Sequence, residues 1–192
     1  MRAHLQRTAF TEQEYLAMED ASSDKHEFID GAIYDMAGGD EVHAAVAVNA
    51  TTALTTRLRG GRCRAYSSDL RIWSPAARTY VYPDATVVCG PVDKSDRVGD
   101  RLSVQNPVVV IEVVSPGSES YDRVDKLVIY QAIPTVRDYL IIDTVERTVE
   151  HHSRADEGLW RLSVVAEGMV ELVGVPIQLP LMEIFADLGG SP

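Results

Sequence analysis

Two carboxylates in this chain stand where an apolar strand would be expected to exclude them. Asp84, in Tyr82-Pro83-Asp84, opens the run Ala85-Thr86-Val87-Val88, and Glu112 interrupts the aliphatic run from Val108 to Val114. A carboxylate in a strand buried on both faces costs several kcal/mol unless it is paired or bound to metal. Two of them on neighbouring strands therefore call for a cation, either a metal ion or, in the structural alternative, an arginine partner for each. Lys126 is the third candidate, on the helix expected after the Glu112 strand, with Asp122 and Tyr130 one turn to either side. Asp122 and Lys126 are spaced i, i+4, which also fits an exposed helical ion pair of a few tenths of a kcal/mol.

The elements that must position these residues are legible in outline. Thr11-Glu12-Gln13-Glu14 matches a capping box and predicts a short helix through Asp20. Glu27 to Met36 alternates around Asp30-Gly31 and reads as a hairpin. Helical spacing of Val42, Ala45, Val46, Asn49 and Ala53 predicts a long helix over 41–59, stopped by Gly60-Gly61. Strands are expected at 64–73, 81–89 and 107–114, with the polar stretch 90–105 as a surface loop. The third strand is β-branched almost throughout and reads as a central strand covered on both faces. A helix follows from about Ser118 to Ala132, with Val124, Leu127, Val128 and Gln131 along one side and Pro134 at its end. Further strands are expected at 138–143, 148–153, 160–165 and 170–173. This order predicts an α/β fold in one domain over residues 1–192.

Composition narrows the class. The 192 residues are 45% hydrophobic, enough for a sizeable core, and no run approaches the roughly 18 apolar residues of a membrane span. The first ten residues lack the apolar core of a secretory signal, so a cytoplasmic location and no membrane partner are expected. Cys63 and Cys89 show no Cys-x-x-Cys or metal-ligand spacing and are read as reduced and structural. A net charge of −11 argues against tight nonspecific DNA binding, although a local basic groove can coexist with an acidic remainder.

Pro83-Asp84 followed by Glu112-Val113-Val114 resembles the Pro-Asp and Glu-x-Lys signature of the PD-(D/E)XK nuclease superfamily. Val114 stands where the usual lysine would be, and Lys126 is placed to be a lysine moved to the adjacent helix. Nearly the whole chain is similar to the Uma family of restriction-endonuclease-like proteins, through Glu27 to Gly31, Met36-Ala37-Gly38 with His43, Ser68-Asp69-Leu70, Tyr82-Pro83-Asp84, Ile111 to Pro116 and Asp122 through Lys126 to Tyr130. The resemblance implies a restriction-endonuclease-like mixed central sheet flanked by helices, with additional antiparallel strands. It implies that Asp84, Glu112 and the Val113 carbonyl bind Mg²⁺ or Mn²⁺, and that Lys126 orients the nucleophile or stabilises the transition state. It also brings Glu27 toward the metal and His43 to the cleft; a surface glutamate and a structural histidine are the plainer alternatives. Asp69 and Tyr130 are weaker candidates. His151 and His152 point to opposite faces of a strand and cannot share a ligand, and Trp73 and Trp160 read as packing. The expected activity is metal-dependent endonucleolytic hydrolysis of nucleic acid, DNA foremost, by a homodimer. A noncatalytic binding protein on the same fold, or a hydrolase of RNA or a small phosphodiester, remains open.

Overall fold

The structure is a computed structural model that describes residues 9–36, 38–100, 102–114, 121–155 and 158–188. Thr11 caps α1 (Glu12–Ala21) with the full reciprocal capping box to Glu14. β1 (His26–Ile29) and β2 (Ala32–Asp35) form the expected hairpin, and both turn residues, Asp30 and Gly31, have positive φ of 47° and 83°. Asp40 caps α2 (Glu41–Leu58) by accepting from the His43 amide at 2.8 Å. Gly60, with φ of 79°, lets the chain leave that helix at its far end.

Two sheets follow. β4 (Ile72–Ser74) and β5 (Thr79–Val81) join the hairpin in the antiparallel order β2-β1-β5-β4. The larger sheet runs β10-β9-β8-β7-β6-β3, built from β3 (Cys63–Ser67), β6 (Ala85–Cys89), β7 (Pro107–Val114), β8 (Asp138–Asp143), β9 (Thr148–Arg154) and β10 (Trp160–Val165). Only β7 and β8 pair in parallel within it, so the sheet is mixed, as the resemblance implied. A π-helical turn, Asp122–Lys126, runs into α3 (Leu127–Gln131) between those two strands. A small ribbon of β11 (Met169–Glu171) and β12 (Gln178–Pro180) leads into α4 (Leu181–Ile184).

The alternation of β7 divides the core. Val109, Ile111 and Val113 pack with Val46, Ala50, Ala53 and Leu54 of α2, whereas Val110 and Val114 pack with Ile129, Tyr130 and Ile133 around α3. Glu112 has the parity of the second set, which turns it toward Lys126.

Several expectations need correction. The strand read over 64–73 is two strands in different sheets, because Ser67 to Leu70 closes a turn with the Leu70 amide donating to Ser67 at 3.1 Å. The strand read over 81–89 also breaks at Pro83-Asp84, where the chain passes from one sheet to the other. The stretch 90–105 is no simple surface loop: Val104 bridges Ile72 and Lys94, and buried Arg71 donates to Asp100 at 2.9 Å and Ser103 at 2.7 Å. Val124 and Val128, on the side read as apolar with Leu127 and Gln131, are 61% and 64% exposed; the inward residues are Asp122, Lys126, Ile129 and Tyr130. The start of that expected helix, with Ser115-Pro116, lies outside the described residues, as does Ala37. The β12 strand was not anticipated.

The cysteines are also corrected. Cys63 and Cys89 are directly opposed in the β3–β6 register and are joined as a disulfide. Their separation of 26 residues hid this, because cross-strand neighbours are set by register and carry no local spacing signal. Among the described residues, no helix is long and apolar enough to cross a membrane.

Candidate active site

Antiparallel pairing of Ala85 with Ile111 carries Asp84 alongside the Glu112–Val113 segment. There the Val113 amide donates to Asp84 Oδ2 at 2.7 Å, fixing the carboxylate against the strand. The preceding Tyr82 is anchored from α1, its hydroxyl donating to Glu19 Oε1 at 2.7 Å, while the His26 amide donates to the same carboxylate. Glu19 was not singled out in the sequence, and nothing local marks it.

Glu112 is 4% exposed and accepts from Lys126 Nζ at 2.7 Å and the Tyr130 hydroxyl at 2.6 Å, both on Oε1. Lys126 is 3% exposed, which overturns the exposed-pair alternative. Its ammonium also lies 3.3 Å from Asp122 and 3.3 Å from Glu27, the latter fully buried on β1 of the other sheet. Asp122, Lys126 and Tyr130 thus do share one face, as their spacing of four suggested, but it is the buried face. Glu27 also receives the Tyr82 amide at 3.4 Å, which ties the hairpin to the same cluster.

His43 reaches the site from the first turn of α2, with Nε2 3.4 Å from Asp84 Oδ2. Gly39 makes this approach possible, since a Cβ there would overlap the His43 ring. Asp84 holds the imidazole above its ordinary pKa against partial burial, and the Val113 carbonyl adds to this. Both His43 and Asp84 line a cavity of about 620 Å³ between α2, the segments that flank the β1–β2 hairpin and the end of β3, which also includes Lys25, Thr51 and Ser68.

Burial pushes the Glu112 carboxyl well above its ordinary range; Lys126 opposes this, whereas Asp122, Asp84 and Glu27 add to it. Burial alone would lower Lys126, yet Glu112, Glu27 and Asp122 hold its ammonium well above the usual value. Tyr130 is raised by burial and by Glu112, so it stays a donor. Among the described residues, Glu27, Glu112 and Asp122 surround the Lys126 ammonium, while Asp84, beside His43, adds negative charge near Glu112. Among the described residues no three His, Cys, Asp or Glu side chains form a ready-made cage. The available oxygens are two carboxylates and the Val113 carbonyl, a set suited to Mg²⁺, which keeps waters and borrows substrate phosphate.

The remaining candidates are not brought into the Glu112–Lys126 cluster. Asp69 pairs with Lys25 at 2.6 Å on the surface. His151 bonds Asp138 at 2.8 Å, while His152 stacks on Tyr139, as expected of opposite faces. Trp73 stacks on Tyr80 in the core, and Trp160 lies against Arg154.

Comparison with known proteins bears on the fold and the family. A crystal structure titled as a putative nuclease belonging to DUF820, from Anabaena variabilis, superposes with a TM-score of 0.75 at 19% identity, covering 93% of this chain and 99% of that one. An uncharacterized protein of Synechocystis sp. is 32% identical over 177 residues, 92% of this chain and 91% of its own length. A second from the same organism is 30% identical over 153 residues, 80% of this chain and 85% of its own. The family model described as Uma2, "Putative restriction endonuclease", matches residues 12–181, and the chain belongs to that nuclease-like family.

Proposed function

We propose that the chain is a Mg²⁺- or Mn²⁺-dependent endonuclease that hydrolyses phosphodiester bonds, with DNA as its substrate. The observation that carries this reading is the buried Lys126 ammonium on Glu112 Oε1, with Asp84 held beside the same strand by the Val113 amide. Asp84, Glu112 and the Val113 carbonyl would hold the metal. When bound, it supplies Lewis-acid charge and makes a water acidic enough to attack.

The chain's own groups do the rest. Tyr130 and Lys126 fix one Glu112 oxygen, which restricts the orientations open to the carboxylate. Glu27 and Asp122 keep Lys126 charged, and its ammonium stabilises negative charge developing on the phosphate. His43, biased toward imidazolium at the cavity wall, contacts a phosphate oxygen. The water oxygen attacks phosphorus and loses its proton to solvent as the opposite P–O bond breaks, and the leaving oxygen takes up a proton from solvent, so one water is consumed per bond cleaved. A homodimer would let two such sites address two strands.

The test is calorimetric titration of Mn²⁺ into wild type and Glu112→Gln, with cleavage assays on plasmid, single-stranded DNA and RNA. Glu112→Gln and Asp84→Asn should each lose Mn²⁺ binding and at least about a hundredfold in cleavage while keeping the fold. Wild-type cleavage by either variant would refute the assignment. A second reading, a hydrolase of RNA or a small phosphodiester, is favoured by the net charge of −11 and by the sparsely basic cavity wall. RNA or bis(p-nitrophenyl) phosphate cleaved in preference to DNA would select it. Mn²⁺ binding without cleavage of any substrate would leave a noncatalytic binding protein.

A further inference from the structure

A second cavity, of about 820 Å³, opens at the other end of the large sheet. It lies by Val108 at the start of β7, whereas Glu112 is four residues further along, about 13 Å of strand away. Four arginines line it, Arg57, Arg59, Arg62 and Arg137, and no carboxylate is among its lining residues. In a chain with 29 acidic and 18 basic residues, such one-sided lining is unexpected for a solvated surface.

The arginines are not equivalent. Arg57 is neutralised by a two-pronged pair with Glu183, at 2.7 and 2.6 Å. Arg59, Arg62 and Arg137 have no ion pair among the described residues. Arg137 Nε is buried without any hydrogen-bond partner, a costly state for a donor. Its neighbour Asp138 directs its carboxylate to other groups, accepting from the Val173 and Gly174 amides and bonding His151. Gly174 keeps the wall tight: a Cβ there would stand 2.9 Å from Arg137 Cβ and 2.6 Å from Val108 Cγ1. Leu58, Val108 and Val175 give the same cavity an apolar side.

We infer that this cavity is a binding site for a small phosphomonoester carrying an apolar group, separate from the candidate active site. Arginine forks match phosphate oxygens in geometry, and a phosphomonoester brings the double negative charge that three unpaired guanidinium groups can share. The volume falls within the range of about 300–1,000 Å³ typical of small-molecule sites, and the concave shape suits a compact ligand better than a duplex. The inference does not depend on nuclease activity.

Phenyl phosphate, inorganic phosphate and a short DNA duplex are each titrated calorimetrically into the full chain, without divalent metal. Saturable binding of phenyl phosphate, tighter than that of inorganic phosphate, is expected. It should weaken by at least about tenfold in Arg59→Gln/Arg62→Gln and in Arg137→Met. Arg59 and Arg62 are exposed, so the first variant keeps its fold even if the second does not. No saturable phenyl phosphate binding, or binding indifferent to the Arg59→Gln/Arg62→Gln change, overturns the site. Duplex binding that depends on the same arginines, with none of phenyl phosphate, would show a nucleic-acid surface instead and equally overturn it.

Discussion

Lys126→Met tests the electrostatics of the candidate active site most directly. The substitution keeps most of the side-chain volume but removes a 3%-exposed ammonium that lies 2.7 Å from Glu112 and 3.3 Å from each of Glu27 and Asp122. Removing one partner of a buried ion pair leaves an uncompensated charge and costs about 3–5 kcal/mol. For a chain of this length that corresponds to a fall in Tm of roughly 6–20 °C. The measurement is urea and thermal unfolding of wild type and variant, followed by circular dichroism, with and without Mg²⁺ or Mn²⁺. The variant should recover part of its lost stability in divalent cation, and more than wild type gains, because the cation takes over part of the ammonium's role. A cost below about 1 kcal/mol would refute the view that Lys126 compensates buried carboxylates. A full cost with no differential rescue would leave the ion-pair cluster standing but count against metal binding beside it.

Other perturbations probe separate features. Breaking the Cys63–Cys89 link by Cys63→Ala/Cys89→Ala should cost about 3.5 kcal/mol, as expected for a loop of 26 residues, and reductant should lower the wild-type Tm similarly; two titratable thiols in the native, unreduced protein would contradict the link. Gly39→Ala should displace His43 and lower cleavage with little effect on Mn²⁺ affinity, so unchanged kcat would remove His43 from the reaction. Burial depresses the His152 pKa below its ordinary 6.5. The unfolded chain then takes up a proton that the folded state refuses, so this contribution to stability is whole above about pH 6.5 and is lost as the pH falls below it. His152→Phe should flatten that acid limb, by at most about 1.4 kcal/mol per pH unit, and an identical limb in both proteins would show that other groups set it.

Much of the local structure is written into short stretches of the chain. Thr11 and Glu14 define the start of α1, Asp30-Gly31 the hairpin turn and Gly60 the end of α2, because capping and positive-φ requirements act within four residues. The β-branched run of β7 announces a strand buried on both faces, and for the same reason Glu112 stands out within it. Lys126 and Tyr130 could be aligned with Asp122 by helical spacing, but spacing could not say whether that face meets water or the sheet. The apolar Val124 and Val128 pointed the other way, and tertiary packing turned them to solvent. Only the assembled fold decided that Pro83-Asp84 hands the chain from one sheet to another, that Asp84 meets the Val113 amide, and that Glu27 reaches Lys126 from a different sheet. The same holds for Cys63 facing Cys89 and for four arginines around one cavity. Each of these depends on strand register and on the exclusion of water between distant segments. A periodic pattern along the sequence carries the direction of a side chain relative to its own element, and the partner across the gap is fixed only when the elements pack.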